Sequence, residues 1–324
     1  MKFNSTLLLF MWSMTIGVVI SISSNSWIMM WSGIEVSMMS FIPMMSSESL
    51  LSSESCVKYF IIQSTSSMVL MLGMLSMLTK LINMYELIML TSLSTKLGAA
   101  PFHNWVLSVI EGMNYFMMFN LLVTMKLAPL TMMSYMKINL TLIVVISMVI
   151  GSIMGMNQNS LRKIMGYSSI FNLGILLSSI KSNSVWMSYM LIYSIMMTTL
   201  LNFLLKTKSN YLNQMTSNMH KNSLKLSLWV MMLSIGGMPP TLGFSAKLMI
   251  LEFLLKTDSK LSFMVMIMTS LVVMFFYLRM TTLMLMYSSS FIKIKFFAGK
   301  EPNSNLMLIN IFPMPLILTL KIMM

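Results

Sequence analysis

Long apolar stretches alternate along this chain with short polar connections, which is typical of a protein that crosses a membrane several times. A membrane-spanning helix needs roughly 20 apolar residues, and about 11 such stretches fit into the chain. One of them, 223–255, is too long for a single straight helix and contains Gly-Gly-Met-Pro-Pro at 236–240, so a broken helix is predicted there. The predicted spans are 4–22, 26–45, 57–79, 86–107, 113–136, 139–156, 161–180, 184–206, 223–255, 261–287 and 305–323.

Composition leads to the same fold class. Hydrophobic residues make up 57% of the 324 residues and charged residues only 9%, and the mean hydropathy is +0.82. A water-soluble surface cannot be built from this mixture. The sequence therefore predicts an all-α polytopic transmembrane bundle that forms one domain over 1–324. The first stretch has no small-residue cleavage site, so it is predicted to be a retained span rather than a removed signal peptide.

The remaining composition excludes several classes of function. The net charge of +13 comes from basic residues scattered singly between apolar runs, without the solvated basic face that nucleic acids require. The single Cys56 rules out a disulfide framework or a cysteine-rich metal site, and is interpreted as a small buried or interfacial residue. The 47 methionines spread over every span, which indicates gap-filling apolar positions rather than a functional groove.

Four ionisable residues lie inside predicted spans, too far from the ends to reach water easily: Glu35, Lys96, Lys126 and Lys247. Each costs at least about 2.5–3.5 kcal/mol at the centre of a membrane helix unless it faces protein or water. Snorkelling to the headgroups is the alternative for a lysine near a helix end. Four such residues in one chain indicate a functional polar path.

Proline or glycine accompanies each of these lysines. Pro101 follows Lys96 by five residues, Pro129 follows Lys126 by three, and Lys247 follows the Gly-Gly-Met-Pro-Pro run. A proline removes a backbone donor and frees carbonyls one turn earlier, which can then bind water or an ammonium group. A packing kink would explain a proline alone, but not a lysine beside each one. Breaks in both halves of the chain also suggest the discontinuous helices of transporters built from inverted repeats.

The two histidines have different interpretations. His103 follows Pro101 within the same span, and a proton-relay role and a hydrogen-bonded packing role are equally open. His220 lies in a polar loop and is predicted to be solvated. No phosphate-binding loop, metal-spaced histidine cluster or paired nucleophile and base occurs in the sequence. The chemistry left to the buried residues is protonation, because a lysine ammonium without its water shell releases a proton more readily and a nearby carboxylate restores the charged form.

At these residues the sequence resembles the NADH dehydrogenase subunit 2 family, which belongs to the same superfamily as multisubunit cation/proton antiporters. The matching segments run in order over nearly the whole chain, although the last 40 residues match only loosely. They are Trp-Ser-Gly-Ile-Glu at 31–35, Lys-Tyr-Phe at 58–60, 96–105, Lys-Leu-Ala-Pro at 126–129, 157–158 with 161–164, Tyr-Ser-Ser-Ile at 167–170, and 236–240 with 243–244 and Lys247.

The resemblance implies an 11-helix subunit of respiratory complex I in the mitochondrial inner membrane, packed between other membrane-arm subunits. It implies that Glu35, Lys96, Lys126 and Lys247 translocate protons, with His103 as a candidate relay. NADH, flavin, iron–sulfur clusters and ubiquinone are then expected in other subunits, and neither a cofactor nor a metal in this chain. The alternatives are a stand-alone cation/proton antiporter and a passive membrane scaffold.

The distribution of positive charge predicts the orientation, because cytoplasmic or matrix loops are enriched in Lys and Arg. Eleven basic residues fall on the side of the N-terminus and six on the other, which predicts a matrix N-terminus and an opposite C-terminus. The first group is Lys2, Lys58, Arg162, Lys163, Lys206, Lys208, Lys221, Lys225, Lys293, Lys295 and Lys300. The second group is Lys80, Lys137, Lys181, Lys256, Lys260 and Lys321.

Overall fold

The computed structural model describes residues 5–46, 49–79, 85–136, 138–214 and 222–290. These residues are almost entirely helical, and their one β-interaction is an isolated bridge between Ser160 and Tyr211. Thirteen α-helices and one π-helical turn follow one another along this part of the chain. They are α1 Ser5–Ser23, α2 Trp27–Met45, α3 Leu50–Thr79, α4 Tyr85–Leu97, α5 Asn104–Gly112, α6 Tyr115–Phe119, the π-turn Asn120–Thr124, α7 Met125–Ser134, α8 Thr141–Met156, α9 Leu161–Ser178, α10 Asn183–Thr207, α11 Asn222–Gly236, α12 Leu242–Lys256 and α13 Lys260–Ser290.

Helix length and hydropathy confirm the prediction of an all-α polytopic membrane protein. In the described ranges, six helical stretches are long and apolar enough to cross a membrane. They are α1, α2, α3, the continuous segment Tyr115–Ser134, α10 and most of α13. Large side chains such as Leu9, Trp12 and Val19 on α1 are more than half exposed, as expected for a surface that faces lipid. The predicted span 305–323 and the loop residue His220 lie outside the described residues.

The chain forms two compact units, Met1–Ser147 and Met148–Met324. In the first unit, α2 contacts α1, α3 and α7, and α4 contacts α3 and α7. In the second unit, α9 and α10 pack against α12, and α11, α12 and α13 contact one another. The single domain over 1–324 stays a prediction.

Helices α1 and α2 approach closely because small residues face each other. A Cβ atom on Gly17 would lie 2.7 Å from the Ser37 backbone nitrogen, and one on Gly33 would lie 2.7 Å from the Gly17 carbonyl oxygen. Each helix thus carries a small residue at two positions four apart, Gly17 with Ser21 and Gly33 with Ser37. Such spacing lets membrane helices pack backbone against backbone. This close packing holds α2, the helix that carries Glu35, against α1.

Helix α3 begins at Leu50, seven residues before the predicted span. The polar serines that precede the apolar run are accommodated within the helix because their hydroxyls bond carbonyls one turn earlier. Ser52 Oγ donates to the Ser49 carbonyl at 2.7 Å, and Ser55 Oγ donates to the Ser52 carbonyl at 2.8 Å. The thiol of Cys56 is half-buried and lies 3.6 Å from the Ile42 carbonyl oxygen.

The predicted span 86–107 is divided into α4 and α5, and the break begins at Gly98. This residue has a φ of 69°, in the left-handed region that favours glycine. Its N–H bonds the Thr95 carbonyl at 3.1 Å, and the Ala99 N–H bonds the Ser94 carbonyl at 3.0 Å. These two bonds form a Schellman motif, which ends a helix and satisfies two of its last carbonyls. The sequence prediction of a helix broken next to Lys96 is confirmed.

The second unit contains a break of the same design between α11 and α12. Gly237 has a φ of 84°, its N–H lies 3.2 Å from the Ser234 carbonyl, and the Met238 N–H bonds the Leu233 carbonyl at 3.1 Å. The same two bonds of a Schellman motif therefore end α11. This confirms the predicted break at 236–240.

The segment Tyr115–Ser134 shows a different distortion from the one expected beside Pro129. Helix α7 continues through Pro129, and the irregularity lies earlier, in the π-helical turn Asn120–Thr124. A proline in the second turn of a helix lacks only the donor to the carbonyl four residues earlier, here Met125, so the helix need not end there. The π-turn shifts the side chains that follow it, and such turns are frequent at functional sites.

Candidate functional site

An ion pair inside the first unit joins two of the predicted residues. The Lys96 ammonium nitrogen lies 3.4 Å from Glu35 Oε1, and their side chains are 1% and 20% exposed, respectively. Taking either charge out of water alone would cost several kcal/mol, so each compensates the desolvation of the other. Glu35 comes from α2 and Lys96 from the last turn of α4, where the partial negative charge of a helix C-terminus also favours a cation.

Side chains replace the backbone donors that the break removes around Lys96. Gln63 Nε2 on α3 donates to the Lys96 carbonyl at 3.3 Å. Trp105 Nε1 on α5 donates to the Thr95 carbonyl at 2.9 Å. The last carbonyls of α4 are thereby satisfied at a depth where an unpaired carbonyl is costly. Both bonds hold the end of α4 in place, and with it the lysine.

A cavity connects Lys96 with Lys126. It offers about 20 Å³ for the centres of water molecules, and about 10–15 Å³ is enough for one water. The cavity lining includes both lysines, Gln63 and Pro129, and it also includes Ile34, Ser37, Met38, Tyr59, Leu97, Trp105, Val106, Leu121 and Met125. The three helices that carry Glu35, Lys96 and Lys126 thus all contribute to the cavity wall, where Lys96 and Lys126 are the charged residues.

Lys126 differs from Lys96 in its partners. It is buried, with 5% exposure, and within the described part of the chain no side chain or carbonyl accepts a hydrogen bond from its ammonium group. Of the two partners expected beside Pro129, a freed carbonyl or water, the carbonyl is thus not used among the described residues. A buried lysine needs polar partners, and the shared cavity has room for a water molecule to supply one.

Lys247 belongs to the second unit and has direct partners. Its ammonium group donates to the Gly236 carbonyl at 2.6 Å, at the C-terminal end of α11, and lies 5.5 Å from the centre of the Phe171 ring. This fulfils the expectation that carbonyls at the break bind the ammonium. A Cβ on Gly237 would lie 2.8 Å from the Lys247 nitrogen. Glycine is needed there for its φ and for the space that the lysine occupies.

The last predicted residue, His103, is buried at 9% exposure and precedes α5. Its Nδ1 lies 3.2 Å from the Pro101 carbonyl oxygen. His103 is not among the described residues that line the Lys96 and Lys126 cavity. This geometry agrees with a packing role as well as with a relay, so both interpretations stay open.

Sequence reasoning missed Gln63 and Phe171 as neighbours of the lysines. Gln63 gives a usable signal, since it is an amide inside an otherwise apolar predicted span and such a group needs a partner. Phe171 gives none, because an aromatic residue in a membrane span is ordinary. Only the packing of α9 against α12 shows that its ring faces a cation.

Sequence comparisons identify the family to which this geometry belongs. Residues 24–275 match the family described as NADH:quinone oxidoreductase/Mrp antiporter, transmembrane. Similar proteins named NADH-ubiquinone oxidoreductase chain 2 include one from Anopheles gambiae, 35% identical over 286 residues, which are 84% of each chain. Another, from Locusta migratoria, is 36% identical over 293 residues, covering 86% of this chain and 85% of the relative. One from Ovis aries is 34% identical over 85% of this chain and 84% of the relative.

Solved structures show the same fold at lower sequence identity. A chain of respiratory complex I from Thermus thermophilus superposes with a TM-score of 0.82 at 18% identity, covering 98% of this chain and 78% of that one. A chain of the Mrp complex from Dietzia gives a TM-score of 0.68 at 13% identity over 84% of this chain and 59% of the other. Together with the sequence matches, these similarities establish that the chain is a member of the NADH:quinone oxidoreductase/Mrp antiporter family, in its NADH-ubiquinone oxidoreductase chain 2 branch.

Proposed function

We propose that this chain is a proton-translocating membrane-arm subunit of NADH:ubiquinone oxidoreductase, respiratory complex I. The observation that carries the proposal is the Glu35–Lys96 ion pair, whose buried lysine lines a water-sized cavity together with Lys126. Three ionisable groups at membrane depth are costly, and membrane proteins keep such groups where charge or protons move. The chain is part of an enzyme but performs no redox chemistry itself. NADH, flavin, iron–sulfur clusters and ubiquinone belong to other subunits.

In the proposed path, the proton passes from Lys96 to Lys126 and then to Lys247. Glu35 neutralises the Lys96 ammonium, and a change in charge nearby alters how strongly that pair holds its proton. Lys126 receives the proton through water in the shared cavity, because no group among the described residues accepts a hydrogen bond from its ammonium. Lys247 exchanges the proton toward the far side of the membrane, with the Gly236 carbonyl and the Phe171 ring stabilising its charged form. His103, which precedes α5 on the far side of the break that follows Lys96 in the chain, is a candidate relay.

The location follows from the same proposal. The chain is a multi-pass protein of the mitochondrial inner membrane, with its N-terminus in the matrix, as the excess of basic residues on that side predicts. Its partners are the lipid bilayer and neighbouring membrane-arm subunits, and nucleic acid is not among them.

A stand-alone cation/proton antiporter is the second candidate, and the superposition on a chain of an Mrp complex favours it. An antiporter uses the same buried charges, so the lysines do not separate these two functions. A passive scaffold is the third, but it gives no reason for buried lysines. The complex I subunit works only together with the other subunits of the complex, whereas the antiporter works on its own.

Native gel electrophoresis of membranes from the source tissue separates the candidates. Staining the gel for NADH dehydrogenase activity and identifying the chain by mass spectrometry should place the chain only in the large stained band. Accumulation as a separate, smaller species with cation/proton exchange activity would contradict the complex I proposal and favour the antiporter.

A further inference from the structure

A group of buried tyrosines lies in the second unit. The proposed proton path does not include them. Tyr189 and Tyr193 on α10 and Tyr277 on α13 are 2%, 1% and 0% exposed. The Tyr189 hydroxyl donates to Asn172 Oδ1 on α9 at 2.8 Å. We call these three tyrosines and Asn172 the tyrosine cluster.

Two hydroxyls of the tyrosine cluster lack a well-formed hydrogen bond. In the described part of the protein, no group meets the Tyr193 hydroxyl or the Tyr277 hydroxyl at hydrogen-bonding geometry. Asn172 lies close enough to the Tyr193 hydroxyl, and Ser168 to the Tyr277 hydroxyl, to interact with them weakly. Burying a hydroxyl without a well-formed bond lowers stability, whereas phenylalanine would fill almost the same space without this cost. Two such hydroxyls in one cluster indicate that a further polar molecule satisfies them.

Two observations place the tyrosine cluster near Lys247. Phe171, whose ring faces the Lys247 ammonium, directly precedes Asn172 on α9. Gly236, whose carbonyl accepts the bond from Lys247, packs against Tyr277, because a Cβ on Gly236 would lie 3.7 Å from the Tyr277 ring. A lysine ammonium has three donors, and among the described residues only the Gly236 carbonyl accepts one of them. The Lys247 ammonium and the two tyrosine hydroxyls therefore lie near one another, and each has a hydrogen-bond donor or acceptor that no described residue uses.

We propose that the tyrosine cluster holds ordered water at the Tyr193 and Tyr277 hydroxyls, and that this hydrated cluster exchanges protons with Lys247. The inference rests on the proposed function, since it presumes that Lys247 carries a proton. In the exchange, the lysine ammonium gives a proton to water, and each tyrosine hydroxyl accepts one proton as it donates another. Each phenol therefore ends as neutral as it began, and no covalent bond other than O–H or N–H changes. Water is the occupant that fits, because it both donates and accepts at small size.

The test uses the assembled complex in sealed membranes and four variants. Tyr193→Phe with Tyr277→Phe removes both hydroxyls and keeps both rings, and Lys247→Met serves as the reference for a lost proton carrier. Tyr211→Phe, at a tyrosine that is 55% exposed, is the matched control. The fourth variant, Tyr193→Phe alone, measures one hydroxyl. The readouts are NADH oxidation, protons pumped per NADH, the pH dependence of pumping, and water density in a high-resolution cryo-EM map.

The expected result is water density within hydrogen-bond distance of both hydroxyls, lost in the double variant. Pumping per NADH should fall in the double variant as it does in Lys247→Met, with an altered pH profile, while Tyr211→Phe matches the parental complex.

Parental pumping in the double variant beside a defective Lys247→Met would overturn the tyrosine inference alone. Normal pumping by Lys247→Met would overturn the role of Lys247 and the inference with it. If the double variant does not assemble, the parental map decides, because the absence of ordered water at both hydroxyls contradicts the inference.

Discussion

The buried charges are the residues that the sequence identifies most directly. In a membrane span a lysine or glutamate stands out, because each costs several kcal/mol in lipid and so requires a reason. Glu35 is the one carboxylate among the four predicted residues, and it lies 3.4 Å from the Lys96 ammonium nitrogen. The neighbours that complete the site have a weaker signal in the sequence. Phe171 and the tyrosines are apolar enough to look like ordinary core residues until the helices are packed.

The Glu35–Lys96 pair gives the first prediction. Replacing Glu35 with Gln keeps the shape of the side chain but removes the carboxylate that compensates the Lys96 ammonium. Breaking a buried pair by removing one partner costs about 3–5 kcal/mol, which here falls on the protonated form of Lys96. We expect Glu35→Gln to assemble and to pump protons at a rate at least about tenfold lower. The measurement is proton uptake in sealed membranes at a matched amount of complex.

The control is the surface pair on α3. Glu54 and Lys58 also form an ion pair, four residues apart, but their side chains are 58% and 44% exposed. Exposed pairs contribute at most about 1 kcal/mol, so Glu54→Gln should leave both assembly and pumping unchanged. If Glu35→Gln behaves like Glu54→Gln, the buried pair does not modulate proton transfer.

At the scale of helices, the breaks are predictable and the π-turn is not. Glycine and proline are visible in the sequence, and a glycine near a proline inside an apolar run indicates that a helix stops there. Both breaks end in the same Schellman motif, at Gly98 and Gly237. By contrast, the residues 120–124 give no signal of a π-turn, since they are an Asn, three apolar residues and a Thr. The stability of a π-turn depends on how the helix packs. The sequence therefore places the distortion at Pro129, whereas the π-turn lies five to nine residues earlier.

Two adjacent glycines at the second break offer a matched test. At Gly237 a methyl group meets a φ of 84° and would lie 2.8 Å from the Lys247 nitrogen. At Gly236 the same methyl group would have its nearest contact at 3.7 Å, an ordinary distance. Gly237→Ala should therefore lower stability by about 1–2 kcal/mol for the left-handed backbone and displace Lys247, which reduces pumping. Gly236→Ala should keep both.

Thermal inactivation of the NADH-dependent activity and proton pumping measure these two effects in the assembled complex. Equal behaviour of the two alanine variants would show that neither the backbone conformation nor the space around Lys247 matters at this break.

For the molecule as a whole, each compact unit contains one helix broken by a left-handed glycine with a buried lysine at the break. The sequence predicts the helical class from long apolar runs, both breaks from glycine and proline inside such runs, and the family from motifs around the buried charges. The boundary between the units at Ser147 could not be predicted, because it falls inside the continuous apolar helix α8, whose glycines, Gly151 and Gly155, lie beyond the boundary and do not interrupt the helix. Packing alone decides it.

The predicted orientation can be tested at two helix ends. Lys206 in the last turn of α10 belongs to the group of basic residues predicted to face the matrix, and Lys256 at the end of α12 belongs to the opposite group. Both are exposed. In a background in which Cys56 is replaced by Ser, an impermeant thiol reagent added to mitoplasts should label Lys256→Cys and not Lys206→Cys. The reverse labelling pattern would invert the topology.

Lys126 tests the central claim most directly, because it is buried and lines the cavity shared with Lys96. Its only proposed role is to carry a proton. Lys126→Met keeps the length and packing of the side chain but cannot carry a proton. Lys126→Arg keeps the charge but holds its proton too tightly to release it. The measurement is protons pumped per NADH oxidised by complex assembled at parental abundance. The account predicts that both variants assemble and pump poorly. Parental pumping by Lys126→Met would show that Lys126 is a packing residue and that the proposed proton path does not run through it.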